Sequence, residues 1–188
     1  MINSVKSSIN QRLLKIVALS AVLLGAAGLS LPVYATSSTS DINVSANISA
    51  SCTMSNTDLI FGAYDAIVAN ATADLTSTAT ISTTCTSGTT GVVTMGQGEH
   101  VFYCVINDCY RRLANSEETS FLSYNIYTDA SYYTSAIWNN DVEEMRSVAQ
   151  VMGSGVSQDL TVYGEIPKNQ KYAAAGSYND TINITITY

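Results

Sequence analysis

Few residues in this chain are of types that carry chemistry. His100, the only histidine, stands near Cys104, Asp108 and Cys109, a donor set from which a metal site can be drawn. Glu117-Glu118 and Glu143-Glu144 supply the paired carboxylates that a glycosidase needs on either side of a sugar bond. Adjacent acids in polar loops are far more often solvated surface charge. A Ser/His/Asp triad would have to use His100, yet no serine sits in a G-x-S-x-G elbow. Gly96-Gln97-Gly98 is too short to cradle a phosphate. Tyr132, Tyr133 and Trp138 form an aromatic, polar stretch suited to stacking on sugar rings, which defines one alternative, an exported carbohydrate-binding or adhesive β-sandwich module. Against it stands the simpler expectation that Trp138 packs in the core. The expectation is no enzyme, no cofactor and no metal.

The elements that hold these residues are strands. Apolar residues recur every second position more often than every third or fourth, Ser, Thr and Asn are abundant, and there are only two prolines. Strands are expected near Ile42 to Ala50, Leu59 to Phe61, Ala79 to Cys85, Val92 to Met95, Val101 to Ile106, Phe121 to Tyr127, Leu160 to Tyr163 and Tyr178 to Tyr188. Polar turns separate them, which points to a two-sheet sandwich. Asp141 to Gln150 is the one stretch with a helical alternative, and it is short. The clearest alternation is the last: Ile182, Ile184, Ile186 and Tyr188 against Asn183, Thr185 and Thr187. The chain stops on that strand.

At the other end, Lys6, Arg12 and Lys15 precede an apolar run from Ile16 to Leu31 and small residues to Ala35. This reads as a secretory signal, residues 1–35, cleaved after Ala35; the run is short of the roughly 20 residues of a spanning helix. The remaining chain keeps five basic residues against fifteen acidic ones, a formal charge of −10. Such a surface repels nucleic acid and anionic lipid, and no membrane insertion is expected after cleavage.

All four cysteines lie in the part expected to be exported, where pairing is the default, and three connectivities are possible. The simplest clips Cys104 to Cys109 and leaves Cys52 to reach Cys85. On loop entropy the short clip contributes roughly 2 kcal/mol and the long bridge roughly 3.5 to 4. Five Asn-x-Ser/Thr sequons, at Asn43, Asn47, Asn70, Asn179 and Asn183, read as coincidence in so polar a chain.

Thr36 to Ser51 begins as a Ser/Thr-rich tether, then alternates Ile42, Val44, Ala46, Ile48 and Ala50 against Asn43, Ser45, Asn47 and Ser49. Fully extended it spans about 50 Å. On pattern alone the preferred reading is the first strand of its own closed sandwich.

An ordered set of short motifs decides between these readings. Cys52 is followed by FGAY (Phe61 to Tyr64), ISTTCTSG (Ile81 to Gly88), RRLAN (Arg111 to Asn115), LSYNIYTDA (Leu122 to Ala130), Trp138, VYGEIPKNQ (Val162 to Gln170) and AGSYNDTINITITY (Ala175 to Tyr188). In this order they resemble the spore coat protein U domain family, the pilin-like domain of archaic (Csu-type) chaperone/usher pili. QGEHVFYCVINDCY departs from the pattern, as does Leu113, where the family more often shows Met.

The resemblance implies an all-β, incomplete immunoglobulin-like sandwich lacking its final strand, with residues 36–51 as an N-terminal donor-strand extension and 52–188 as the domain. It implies that Ile42, Val44, Ala46, Ile48 and Ala50 enter the groove of a neighbouring subunit, beside the open edge made by Ile182, Ile184, Ile186 and Tyr188. The implied partners are identical or related pilins, a periplasmic chaperone that holds the carboxylate of Tyr188, and an outer-membrane usher. The implied place is a pilus on the cell surface or a secreted fibre, in attachment or biofilm formation.

Overall fold

A computed structural model describes residues 34–105, 108–140 and 148–188, and for 103–105 and 108–109 only the strand backbone. The chain divides into two units, Met1–Ser45 and Ala46–Tyr188. The first is described from Tyr34 onward; it has no regular secondary structure there and is exposed throughout, with Ile42 and Val44 at 85% and 92%. The expected signal segment, residues 1–35, lies outside the described residues except for Tyr34 and Ala35.

The second unit is nearly all β. Its strands are β1 (Cys52–Asn56), β2 (Leu75–Cys85), β3 (Thr90–Met95), β4 (Val101–Val105), β5 (Asp108–Asn115), β6 (Phe121–Tyr127), β7 (Ala149–Met152), β8 (Gln158–Ile166), β9 (Tyr178–Asn179) and β10 (Ile184–Thr187). One antiparallel sheet runs β1-β2-β8-β6-β5-β4, with β9 added to β5; the other runs β10-β3-β7. The two share one core, as an immunoglobulin-like sandwich does. Alternation explains the long strands: in β2, Ala79, Ile81, Thr83 and Cys85 are buried while the intervening Thr80, Ser82 and Thr84 are only partly covered. Ile81, Tyr124, Ile126, Val162 and Ile166 of the large sheet meet Val93, Met95 and Val151 of the small one.

Trp138 joins the layers. It is 1% exposed, its backbone N–H donates to Ile126 O at 2.7 Å, and its indole Nε1–H donates to Val93 O at 2.9 Å. Arg111 lies beside it, also 1% exposed, and donates to Gly96 O and Trp138 O. A guanidinium at an interior position is tolerated here because it satisfies carbonyls that the sheets leave open.

Several expectations change. Ile42 to Ala50 forms no strand, since no neighbour pairs with it among the described residues. Leu59 to Phe61 is also outside the ladders, although Leu59 and Phe61 pack on the core while Ile60 is 72% exposed. The expected strand from Tyr178 to Tyr188 is two: β9 pairs with β5, and the chain then crosses to the other sheet as β10. The 141–147 part of the helical alternative, and Glu143-Glu144 with it, lie outside the described residues; Ala149 and Gln150 are in β7. No helix among the described residues is long and apolar enough to cross a membrane.

Candidate functional site

Among the described residues, β10 has a strand partner on one side only. Its register with β3 pairs Ile184 with Met95, Thr185 with Thr94, Ile186 with Val93 and Thr187 with Val92, and Gly96 N–H extends the pairing to Asn183 O at 2.8 Å. No described strand pairs with the opposite edge of β10. Ile182, Ile184 and Ile186 all turn toward the core, yet each is only half-buried. Tyr188 lies beyond the strand and is 56% exposed. The structure therefore brings three of the four expected edge residues to the core boundary and leaves Tyr188 outside it.

Beside that edge a cleft of about 400 Å³ opens into the sandwich. Asn56 to Leu59 and Phe61 form one wall, Asp180 to Ile182 and Ile184 the other, and Ile81, Met95, Tyr124, Ile126 and Val162 the floor. A second cleft of about 860 Å³ lies between Leu59–Ala66 and Ala173–Asp180, and both touch Leu59, Phe61, Leu113 and Asp180. Loop packing holds the first wall. Gly164 makes room for it: a Cβ there would stand 2.6 Å from Leu59 Cδ2 and 2.7 Å from Phe61 Cζ.

Motif residues far apart in sequence close the loops around this wall. Tyr64 O–H donates to Pro167 O at 2.8 Å and accepts Gln170 N–H at 3.1 Å. The Gln170 amide in turn accepts from Ser123 N–H and donates to Ser123 O and Pro167 O. Asn70 is buried, accepting Asp65 N–H and donating to Ala73 O, so its sequon serves as a structural bridge. Asp65 accepts the N–H groups of Ile67 and Val68, which hold its carboxyl below the usual carboxylate range.

Asp180 anchors the crossing between sheets. Its Oδ2 accepts the Tyr124 hydroxyl at 2.6 Å, and its Oδ1 accepts Glu99 N–H at 2.8 Å. Burial, reinforced by the Asp180 carboxylate, pushes the Tyr124 phenol well above its ordinary value. The phenol thus stays a donor at any physiological pH.

The remaining predicted residues fall as follows. Of the expected donor set, Ile48 is 83% exposed, and Ala46 and Ala50 are exposed like Ile42 and Val44. Cys52 and Cys85 face each other in the β1–β2 register and form a disulfide. Cys104 and Cys109 are opposite in the β4–β5 register, but their side chains, and so the expected clip, lie outside the described part. The sugar platform is not assembled: Trp138 is in the core and Tyr132 packs edge-on against Tyr127 and Tyr163, leaving Tyr133 exposed. Sequence reasoning missed Asp180 and Arg111, since a polar residue inside a strand pattern carries no signal of the carbonyl or hydroxyl that satisfies it.

Comparison with known proteins fits this geometry into a family. The Spore Coat Protein U domain model matches residues 38–185, and the chain belongs to that family. It is 32% identical over 167 residues to Protein U of Myxococcus xanthus, covering 84% of this chain and 88% of that protein. Among solved structures it is similar to a chain in the chaperone–tip adhesion subunit pre-assembly complex from archaic chaperone-usher Csu pili of Acinetobacter baumannii. The TM-score is 0.49 at 15% identity over 74% of this chain, which spans 40% of that one.

Proposed function

We propose that this protein is the structural subunit of an extracellular fibre of the chaperone/usher kind, joined by strand donation. The observation that carries the reading is the edge of β10, to which no described strand pairs, above a cleft into the core. An open edge flanked by apolar side chains is an aggregation hazard unless another strand covers it. Residues Ile42, Val44, Ala46, Ile48 and Ala50 have the alternation such a strand needs, and they are exposed. Each large aliphatic side chain buried in the groove contributes roughly 1.5 to 3 kcal/mol, and the backbone ladder adds to it. Because donor and acceptor are different surfaces of one subunit, the contact is heterologous and propagates into a filament.

Before assembly the same edge requires a cover, the role of a periplasmic chaperone, with an outer-membrane usher as the site of exchange. Export by the leader at residues 1–35 precedes both. Membership of the spore coat protein U family supports this reading.

The test is the size of the exported chain, Thr36 to Tyr188, on an SDS gel with and without boiling. A ladder that collapses to monomer on boiling is expected, and removal of Thr36 to Ala50 abolishes it. A monomer at every concentration would sink the proposal.

A further inference from the structure

Glu99 and His100 follow the turn after β3, and Asp180 stands at the crossing between β9 and β10. Their ligand atoms all lie within 4.8 Å of one another. Along the sequence His100 stands between Glu99 and the group Cys104, Asp108 and Cys109, but folding gives it an aspartate from the far end of the chain. We propose that Glu99, His100 and Asp180 form a divalent-cation site of one imidazole nitrogen and two carboxylate oxygens, best matched to Zn²⁺. The remaining coordination positions belong to water.

Donor chemistry selects the ion. Imidazole with carboxylates suits a borderline cation such as Zn²⁺ better than Ca²⁺ or Mg²⁺, which prefer all-oxygen shells. Ligands at about 2.0–2.2 Å from a tetrahedral ion stand about 3.4 Å apart. Rotation of the exposed Glu99 and the partly exposed His100 closes the remaining gap.

Several features prepare the site. Asp180 is already oriented, by the Tyr124 hydroxyl on one oxygen and Glu99 N–H on the other, the kind of supporting contact that fixes a metal-binding carboxylate. Gly98, at φ +84°, lets the loop lie against that carboxylate, because a Cβ there would collide with Asp180 Oδ2. The His100 ring is flanked by Phe121, with centroids 6.3 Å apart, which limits where the imidazole can point. The acidic balance of the chain, fifteen acids against eight bases, raises the local cation concentration. This site does not depend on strand donation.

Calorimetric titration of ZnCl₂ into the full chain, purified without a histidine tag, tests it. One saturable equivalent is expected, with affinity lowered at least about tenfold in H100A and in D180N. Mg²⁺ in excess should not displace the zinc. Absence of saturable binding, or binding that H100A leaves unchanged, overturns the site. Should H100A or D180N fail to fold, E99Q, at an exposed position, decides by the same criterion.

Discussion

Two regions of the sandwich that meet along β3 treat the same kind of residue in opposite ways. Around Trp138, the large apolar side chains of both sheets are sealed and the polar groups among them are paired, Arg111 with Gly96 O and Trp138 O, the indole with Val93 O. Around β10, three isoleucines of equal hydrophobicity stop half-buried above a cleft. The difference teaches that sealing and pairing are concentrated in one part of the domain, and on the proposed function the other part is where a further strand would enter. Domain stability and assembly should then respond to different substitutions.

Trp138→Ala strikes the sealed part hardest. It empties the contact between the sheets and frees Val93 O, and should cost about 3–5 kcal/mol by urea denaturation. Assembly should fail with it, through unfolding. Replacing Cys52 and Cys85 by alanine opens a bridge across 33 residues and should cost roughly 3.5 to 4 kcal/mol, measured as a lower denaturation midpoint with the denatured baseline otherwise intact. A loss well below 1 kcal/mol in either variant would mean that the division between sealed and open parts is misplaced.

Tyr124 lies at the boundary, since its ring belongs to the core and its hydroxyl to Asp180. Tyr124→Phe should cost about 1.5–3 kcal/mol at neutral pH, the range for a hydrogen bond to a charged group. The raised phenol makes a second readout. In the folded chain it stays protonated where the unfolded phenol, near pH 10, ionises. Its contribution is complete below about pH 10 and is lost as pH rises beyond it, so the alkaline slope of stability should be shallower in the Phe variant. Tyr127, also raised by burial, keeps part of the slope in both.

Ile48→Asp is the smallest change for the domain and the sharpest for the comparison. Ile48 is 83% exposed, so unfolding free energy should stay within about 0.5 kcal/mol of the parent. The boiling-sensitive ladder should nevertheless be lost, because a carboxylate in an apolar groove is left without a partner. A destabilised domain would show instead that this residue serves its own fold.

Much of this architecture was legible in the sequence. The alternation in Ala79 to Cys85, Phe121 to Tyr127 and Leu160 to Tyr163 identified strands that the structure contains, two of them longer than the pattern alone gave. It failed where a strand lacks a clear alternation, as in Cys52–Asn56, Asp108–Asn115 and Ala149–Met152, or where alternation occurs with no strand paired to it among the described residues, as in Ile42 to Ala50. The motifs were legible too, but not their use: Tyr64, Ser123 and Gln170 are distant in sequence and form one clamp.

Sequence by itself determined which face of each segment is apolar, because side chains alternate along any extended backbone whatever lies beside it. It could not determine that Tyr178 to Thr187 changes sheets at Asp180, or that His100 meets Asp180. Those were decided only by the tertiary structure, since backbone pairing and burial are set by neighbours distant along the chain, and a residue's own pattern carries no record of them.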